Sequence, residues 1–300
     1  MTLSAPFPYF GGKSTVAHLI WGALGDPIHY VEPFFGSGAV LLARPAQTHA
    51  KFRRREVLND LDGHVVNFWR SVAWHPEQVS AAADWPVSEL DLHARALVLG
   101  RDKAGLTDRL RGDPEWCDPK IAGWWVWAMS TTVAPREIGT LLADGTAPKS
   151  RPVTSKRGIH AASATPIEAL HDRLAGVITL CGDWERALTD GACIGGKTNA
   201  IGVFLDPPYD PTATKDGRIY FAKSAEYAAD NSAVAAAAWA AETGSDTRYR
   251  IVLCGFEAEH AMPGGWEYVP LGTVGKSSGE TPEGMWLSPG CVRPSDGRLF

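Results

Sequence analysis

No stretch of the sequence is long and apolar enough to cross a membrane. The longest near-apolar run, Ala233 to Ala241, falls far short of the ~20 residues a span needs. The N-terminus has no basic segment leading into an apolar run, so it does not read as a signal peptide. Cysteines are few: Cys117, Cys181, Cys193, Cys254 and Cys291 are scattered, odd in number and without a CxxC pair. Neither a disulfide framework nor a structural zinc site is expected, and a reducing cytoplasm is the compartment that fits. The nine histidines show no HExxH or comparable ligand spacing, so no metal is implied. Excess positive charge is also missing. The formal net charge is −5, which does not advertise a nucleic-acid partner, although a local basic stripe can still hold phosphates. Two such stripes exist: Lys51, Arg53, Arg54 and Arg55, and then Lys149, Arg151, Lys156 and Arg157, the latter without an intervening acid. Taken alone, they read as solvated loop charges.

What is present in quantity is apolar mass. The chain is 45% apolar over 300 residues, with 12 Trp and 10 Phe, enough to build a core that offsets the entropy of ordering. Its length suits one large domain, or a catalytic domain carrying a smaller insertion. Residues 1–72 alternate strand and helix. Ile28 to Glu32 reads as a short strand, Phe34-Phe35-Gly36-Ser37-Gly38 as a glycine turn, and Ala39 to Ala43 as the start of a helix. Glu56 to Asp60 reads as a second strand, and Val65, Val66, Phe68 and Trp69 mark one face of a following helix. From 73 to 165 the chain becomes helix-rich and irregular, carrying Trp85, Trp116, Trp124, Trp125 and Trp127 among many Pro and Gly. The strand–helix rhythm then returns, with strands at Val177 to Cys181, Ile201 to Leu205 and Tyr249 to Cys254 and a helix over Ala225 to Ala241. The last 40 residues read as loops with an edge hairpin around Trp266 to Leu271. Alternation of this kind predicts an α/β fold with a parallel sheet, divided into a catalytic domain, 1–72 plus 166–300, and an inserted subdomain, 73–165.

Four segments carry chemistry. Val31 to Gly38 runs from a strand through a glycine turn into a helix, which places backbone N–H groups where doubly wound sheets bind nucleotides. Asp60 ends the next strand, and a carboxylate about 20 residues beyond such a loop can accept both hydroxyls of a ribose. The alternative for Asp60 is a cap on the following helix. Asp206-Pro207-Pro208-Tyr209 follows the wholly apolar strand Ile201 to Leu205. Two prolines can continue neither ladder nor helix, so they fix a rigid turn presenting a carboxylate, unpaired carbonyls and an aromatic face to one point. An exocyclic amine donating both hydrogens there gains electron density as positive charge develops on its nitrogen. Finally, Tyr9-Phe10-Gly11-Gly12-Lys13 brings a flexible turn beside a lysine available to a carboxylate; its spacing is not that of a Walker A loop.

In content and order these segments resemble the Dam-type, D12-class family of DNA adenine-N6 methyltransferases. The family shares an aromatic-x-Gly-Gly-Lys segment, an EPFxGSG loop, an Asn-Asp dipeptide and a DPPY tetrapeptide, here Tyr9 to Lys13, Glu32 to Gly38, Asn59-Asp60 and Asp206 to Tyr209. The resemblance implies a Rossmann-like S-adenosylmethionine-dependent methyltransferase sheet with helices on both faces and a mainly helical target-recognition insert. It implies cofactor contacts from Tyr9, Lys13, Glu32, Pro33, Phe34, Gly36, Gly38, Asp60 and Asp206. Asp183, within Leu180-Cys181-Gly182-Asp183-Trp184, would lie near the cofactor's adenine. It implies Asp206, Pro207, Pro208 and Tyr209 as the catalytic group, with DNA as partner and no metal or membrane. The basic residues Lys149, Arg151, Lys156 and Arg157 then fall in the insert that meets DNA.

Many family members that read GATC carry an aromatic-Asn-Gly-x-x-Arg-x-Asn pattern in this insert. The chain has Ser130 to Glu137 there instead, so that specificity does not carry over. The three clustered tryptophans of 124–127 are read as core before they are read as stacking platforms. Two rival functions stay open: an amine methyltransferase on another substrate such as cytosine N4, and a methyltransferase-fold DNA-binding protein without turnover. The leading Asp of the tetrapeptide favours adenine over cytosine. A modified donor, a paired restriction enzyme and a host that is bacterial or phage-infected are all compatible with the sequence, and nothing requires more than a monomer.

Overall fold

The computed structural model describes residues 3–9, 11–45, 54–101, 103–131, 166–189, 200–208, 231–257, 259–272 and 283–293. Contacts divide the chain into two units. The first holds Met1–Ser14, Phe35–Ala43 and Asn59–Trp184, and the second holds Thr15–Phe34, Arg44–Leu58 and Glu185–Phe300. Among the described residues there are seven strands: β1 (His29–Glu32), β2 (Arg55–Asp60), β3 (Val177–Cys181), β4 (Ile201–Leu205), β5 (Tyr249–Phe256), β6 (Glu267–Gly272) and β7 (Glu283–Leu287). The helices are α1 (Ala17–Leu24), α2 (Ala39–Leu42), α3 (Gly63–Trp74), α4 (Pro76–Ala83), α5 (Glu89–Arg101), α6 (Lys103–Gly112), α7 (Pro119–Thr131), α8 (Ile167–Leu174) and α9 (Ser232–Thr243).

The second unit is built on parallel pairing. His29 of β1 stands opposite Arg55 of β2 on one side and Ile201 of β4 on the other, and Ile201 in turn pairs with Tyr249 of β5. Parallel strands have helices on both faces, so they are buried throughout and read as apolar runs. β4 obeys this at every position, Ile201 to Leu205. β1 is equally buried although it contains His29 and Glu32, and its polar ends therefore need partners. Tyr30 supplies one, donating its hydroxyl to Glu32 Oε2 at 2.7 Å. Its own phenol ionises only well above the usual tyrosine range, because burial disfavours the anion and the Glu32 carboxylate adds to the penalty. Nearby, the buried Arg44 guanidinium bonds Glu56 Oε1 at 2.8 Å and the Pro27 carbonyl, and lies 5.1 Å from the Trp21 ring centre.

In the first unit, the end of β2 meets the end of β3. The Gly182 amide donates to the Asp60 carbonyl at 3.0 Å, and the Asn59 side-chain amide returns a bond to the Gly182 carbonyl at 2.9 Å. The strand order is accordingly β3-β2-β1-β4-β5-β7-β6. The chain winds outward from β1 to β3, then returns to the other side of β1. This is the doubly wound, Rossmann-like α/β sheet that the sequence leads one to expect, and its order reverses between β1 and β4.

The first unit's core is aromatic. Phe7 packs edge-on against Phe68 of α3 and Trp125 of α7, at 5.2 and 4.8 Å between ring centres. Asp62 caps α3 by accepting from the His64 amide at 2.8 Å. Arg70 Nη1 reaches the carbonyls of Leu110, Asp113 and Trp116 at 2.9–3.2 Å, tying the turn after α6 to α3. The stretch from α4 to α7 is helical, separated only by short turns.

Three expectations change. The helix α1 had no counterpart in the sequence reading. The C-terminal hairpin exists, but Glu283–Leu287 forms β7 and pairs antiparallel with both β5 and β6, so only β6 lies at the edge. Within α7, Trp125 and Trp127 are core residues at 2% and 0% exposure, whereas Trp124 stays half-buried.

Candidate active site

The glycine loop is held in place by backbone geometry that only glycine adopts cheaply. Gly36 and Gly38 have φ of +50° and +68°, in the left-handed region where a Cβ clashes with the backbone. Gly38 closes the turn by donating to the Phe35 carbonyl at 3.0 Å, and its own carbonyl receives the Leu42 amide at 2.9 Å, starting α2. A Cβ on Gly38 would sit 2.7 Å from Phe35 Cζ and 2.9 Å from Trp69 Cζ2. One on Gly36 would sit 2.7 Å from Tyr9 Cε1, so the Tyr9 ring lies directly on the loop. Trp69, read from the sequence only as part of a helix face, donates its indole N–H to the Gly36 carbonyl at 3.0 Å.

Asp60 secures the same loop. Its Oδ2 accepts the Gly36 amide at 2.8 Å and its Oδ1 accepts the Asp62 amide at 2.9 Å. The helix cap is therefore Asp62, not Asp60. Each carboxylate oxygen has two lone-pair sites, so Asp60 still has one on each oxygen for a ligand. Asp183 follows Gly182, whose amide bonds the Asp60 carbonyl, and is exposed. Tyr9 also closes its own segment, its carbonyl accepting the Gly12 amide at 3.0 Å. Lys13 is buried at 5% exposure and donates to the Gly11 carbonyl at 2.7 Å. The first unit thus gathers Tyr9, Gly36, Gly38 and Asp60 around one loop, with Asp183 beside the last.

The second unit carries Glu32, Pro33 and Phe34, which leave the end of β1, and Asp206, which leaves the end of β4. Because β1 and β4 are parallel neighbours with Val31 opposite Val203, Glu32 and Asp206 emerge from the same, carboxyl side of the sheet. That is the side, at the reversal of strand order, where doubly wound sheets bind ligands. Glu32 is 2% exposed and aligned by Tyr30, a positioning partner visible in the sequence only as the residue two before it on the same strand face. Asp206 and Pro208 are half-buried, and Pro207 is buried. Tyr209 lies outside the described residues, as do Lys149, Arg151, Lys156 and Arg157. No group of three or more His, Cys, Asp or Glu able to hold a metal occurs among the described residues, and none of their helices is long and apolar enough to cross a membrane.

Burial raises the Asp60 carboxyl to about 7, with the Asp62 and Gly36 amides pulling the other way. An acid whose folded value is raised holds its proton more tightly folded than unfolded. Its contribution to stability is complete below the unfolded value of 3.8 and is lost as pH rises through about 7. The melting temperature of the ligand-free protein should therefore fall between pH 5 and pH 8. The slope should flatten in Asp60→Asn; equal slopes for the two proteins would remove Asp60 as the source.

Residues 9–85 match the family described as D12 class N6 adenine-specific DNA methyltransferase. Over that stretch, about a quarter of the chain, the sequence is similar to that family. No curated protein matches it. The D12-class match spans Tyr9, the Gly36–Gly38 loop and Asp60, the residues the structure draws together around one turn. That family is one of enzymes, DNA methyltransferases specific for adenine N6, and the mixed seven-stranded sheet among the described residues fits the methyltransferase fold.

Proposed function

We propose that this enzyme transfers a methyl group from S-adenosylmethionine to N6 of an adenine rotated out of DNA. The observation that carries the reading is that Asp206-Pro207-Pro208 leaves the sheet on the same carboxyl side as Glu32, at the ends of β4 and β1 where the strand order reverses. S-adenosylmethionine supplies an electrophilic methyl group on a sulfonium. The chain's residues suit its other parts. Asp60 retains acceptor positions for the ribose hydroxyls, Gly36 and Gly38 give the loop the left-handed turns that bring its backbone under the Tyr9 ring, and the buried Lys13 cation suits a carboxylate. Tyr9, Glu32, Pro33, Phe34 and Asp183 complete the contacts. Hydroxyls donating to Asp60 favour its ionised form, so affinity for S-adenosylhomocysteine should rise with pH through about 7 and then level off.

At the target, Asp206 and the Pro207 carbonyl accept the two N6 hydrogens, which holds the amine lone pair toward the donor and offsets the developing positive charge. Tyr209 stacks on the extruded base, and Asp206 is the first acceptor of the proton N6 must lose. Orientation and electrostatics account for the acceleration. Residues 73–165 form the target-recognition insert, and Lys149, Arg151, Lys156 and Arg157 contact phosphates from it.

Incubating the protein with DNA and methyl-labelled donor, then mapping modified bases, tests the reading. N6-methyladenine at a recurring sequence is the expected product. Label on cytosine N4, or binding of S-adenosylhomocysteine without any transfer, would overturn it in favour of the two rivals.

A further inference from the structure

A cleft of about 670 Å³ opens among α4, α5 and α7, lined by Gln78, Trp85, Asp91, Arg95, Lys120 and Trp124 together with small apolar side chains. Two of its lining side chains are indoles. Trp85 is 46% exposed, and its orientation is set twice, by its N–H donating to Asp91 Oδ2 at 2.9 Å and its carbonyl accepting the Trp127 N–H at 3.0 Å. The Arg95 guanidinium is packed among three indoles, 4.4 Å from the Trp127 ring centre, 5.2 Å from Trp124 and 5.3 Å from Trp85. Lys120 Nζ lies 4.7 Å from the Trp124 ring centre.

Arg95 is 7% exposed, and among the described residues its Nη1 has no hydrogen-bond acceptor. A buried donor on a charged group left in this state is costly, and cation–π contact offsets only part of that cost. An acceptor-bearing anion would complete it. The combination is selective: two cations against the single carboxylate of Asp91 leave a positive charge that asks for an anion, and the exposed Trp85 and half-buried Trp124 rings ask for a flat ring beside it. An acidic peptide meets the first demand and not the second. A nucleotide meets both, and the cleft lies within the size range of sites that hold such ligands.

We infer that this cleft is a second nucleic-acid contact, in which one unpaired base of a DNA strand stacks on Trp124 while its phosphate lies against Arg95 and Lys120. The inference rests on the reading that the enzyme acts on DNA, and it adds a contact outside the methyl-transfer site. The cleft grips a strand where the bases are already exposed, as they are once a base has been extruded. Stacking on an aromatic face is sequence-tolerant, so the contact adds affinity without specifying a target.

The test is the binding of fluorescein-labelled oligodeoxythymidine to the full chain, followed by anisotropy and by quenching of tryptophan fluorescence. Trp124→Ala should weaken binding about 10-fold or more, whereas Trp124→Phe should stay within about 3-fold of wild type. Lys120→Ala should flatten the dependence of log K on log salt by about 0.7, the value for one phosphate contact on a single strand. Thermal melting and S-adenosylhomocysteine binding, measured on each variant, separate loss of the contact from loss of the fold. Equal binding by Trp124→Ala and wild type, or displacement by a polyglutamate peptide as effective as by unlabelled oligonucleotide, would overturn the inference. The two readings fail separately. A wild-type chain that transfers no methyl group but loses oligonucleotide affinity on Trp124→Ala keeps the cleft and refutes the proposed activity, and the reverse pattern does the opposite.

Discussion

Replacing Asp206 with Ala is expected to lower methyl transfer by about 10³-fold or more, to the floor of a labelled-methyl assay, with the fold retained. Removing one preorganised polar partner of a developing charge commonly costs 10²–10³ in rate, and Asp206 is given two tasks, orienting the amine and receiving its proton. The side chain leaves the end of β4 and is half-buried, so its truncation removes no part of the core formed by Ile201 to Leu205. Asp206→Asn sharpens the result. It preserves shape and one acceptor but has neither the charge nor the basicity, so it should remain at least about 10²-fold impaired. The defect should appear in kcat for both variants when donor and DNA are saturating, because the lost interactions belong to the transition state. Near-wild-type turnover by Asp206→Ala, with a matching melting curve, would sink the mechanism.

The second large effect concerns Gly38. An alanine at φ +68° costs about 1–2 kcal/mol in backbone strain, and a Cβ pressed to 2.7 Å from Phe35 and 2.9 Å from Trp69 costs about 1–3 kcal/mol more. Gly38→Ala should therefore destabilise the protein by about 2–5 kcal/mol, seen as a melting temperature lower by roughly 5–15 °C. Neither neighbour can yield freely. Trp69 is 1% exposed and tethered through its indole N–H to the Gly36 carbonyl, and Phe35 packs on it at 5.0 Å between ring centres. Relief must come from the loop itself, which carries the proposed cofactor contacts, so affinity for S-adenosylhomocysteine should fall at least about 10-fold, the equivalent of 1.4 kcal/mol. Gly112→Ala is the matched control. A Cβ there meets nothing within 4 Å and the position ends α6, so no loss of stability is expected. If Gly38→Ala melted and bound like Gly112→Ala, the strained loop would have no part in the site.

The glycine loop shows how far local chemistry reaches. The residue types at its turn were legible because φ > 0 and a close approach of backbone to ligand both demand glycine, and Tyr9, Gly36 and Asp60 do meet around it. The division of labour between two neighbouring acids was not legible. Asp60 and Asp62 are both credible helix caps by type and position, and only the distances to the Gly36 and His64 amides assign the cap to Asp62 and the loop to Asp60. Trp124, Trp125 and Trp127 offer a similar case. All lie on one helix, and the packing of Phe7 and Phe68 around Trp125, with Arg95 beside the other two, decides which indole faces the cleft.

The sequence by itself determined the alternation of strands and helices, the loop, the order of the motif segments and the chemistry each can perform. Those properties depend on backbone restriction, periodicity and functional groups that a residue carries wherever it sits. The tertiary structure alone decided that Glu283–Leu287, polar-edged and containing glycine, is a strand, because its ladder is completed by β5 and β6 rather than by anything in its own composition. It alone decided that Tyr30 aligns Glu32 and that Asp206 leaves the sheet on the same side as Glu32. Strand pairing and buried hydrogen bonds take their energy from partners distant in the chain, and a local pattern does not record which partner arrives.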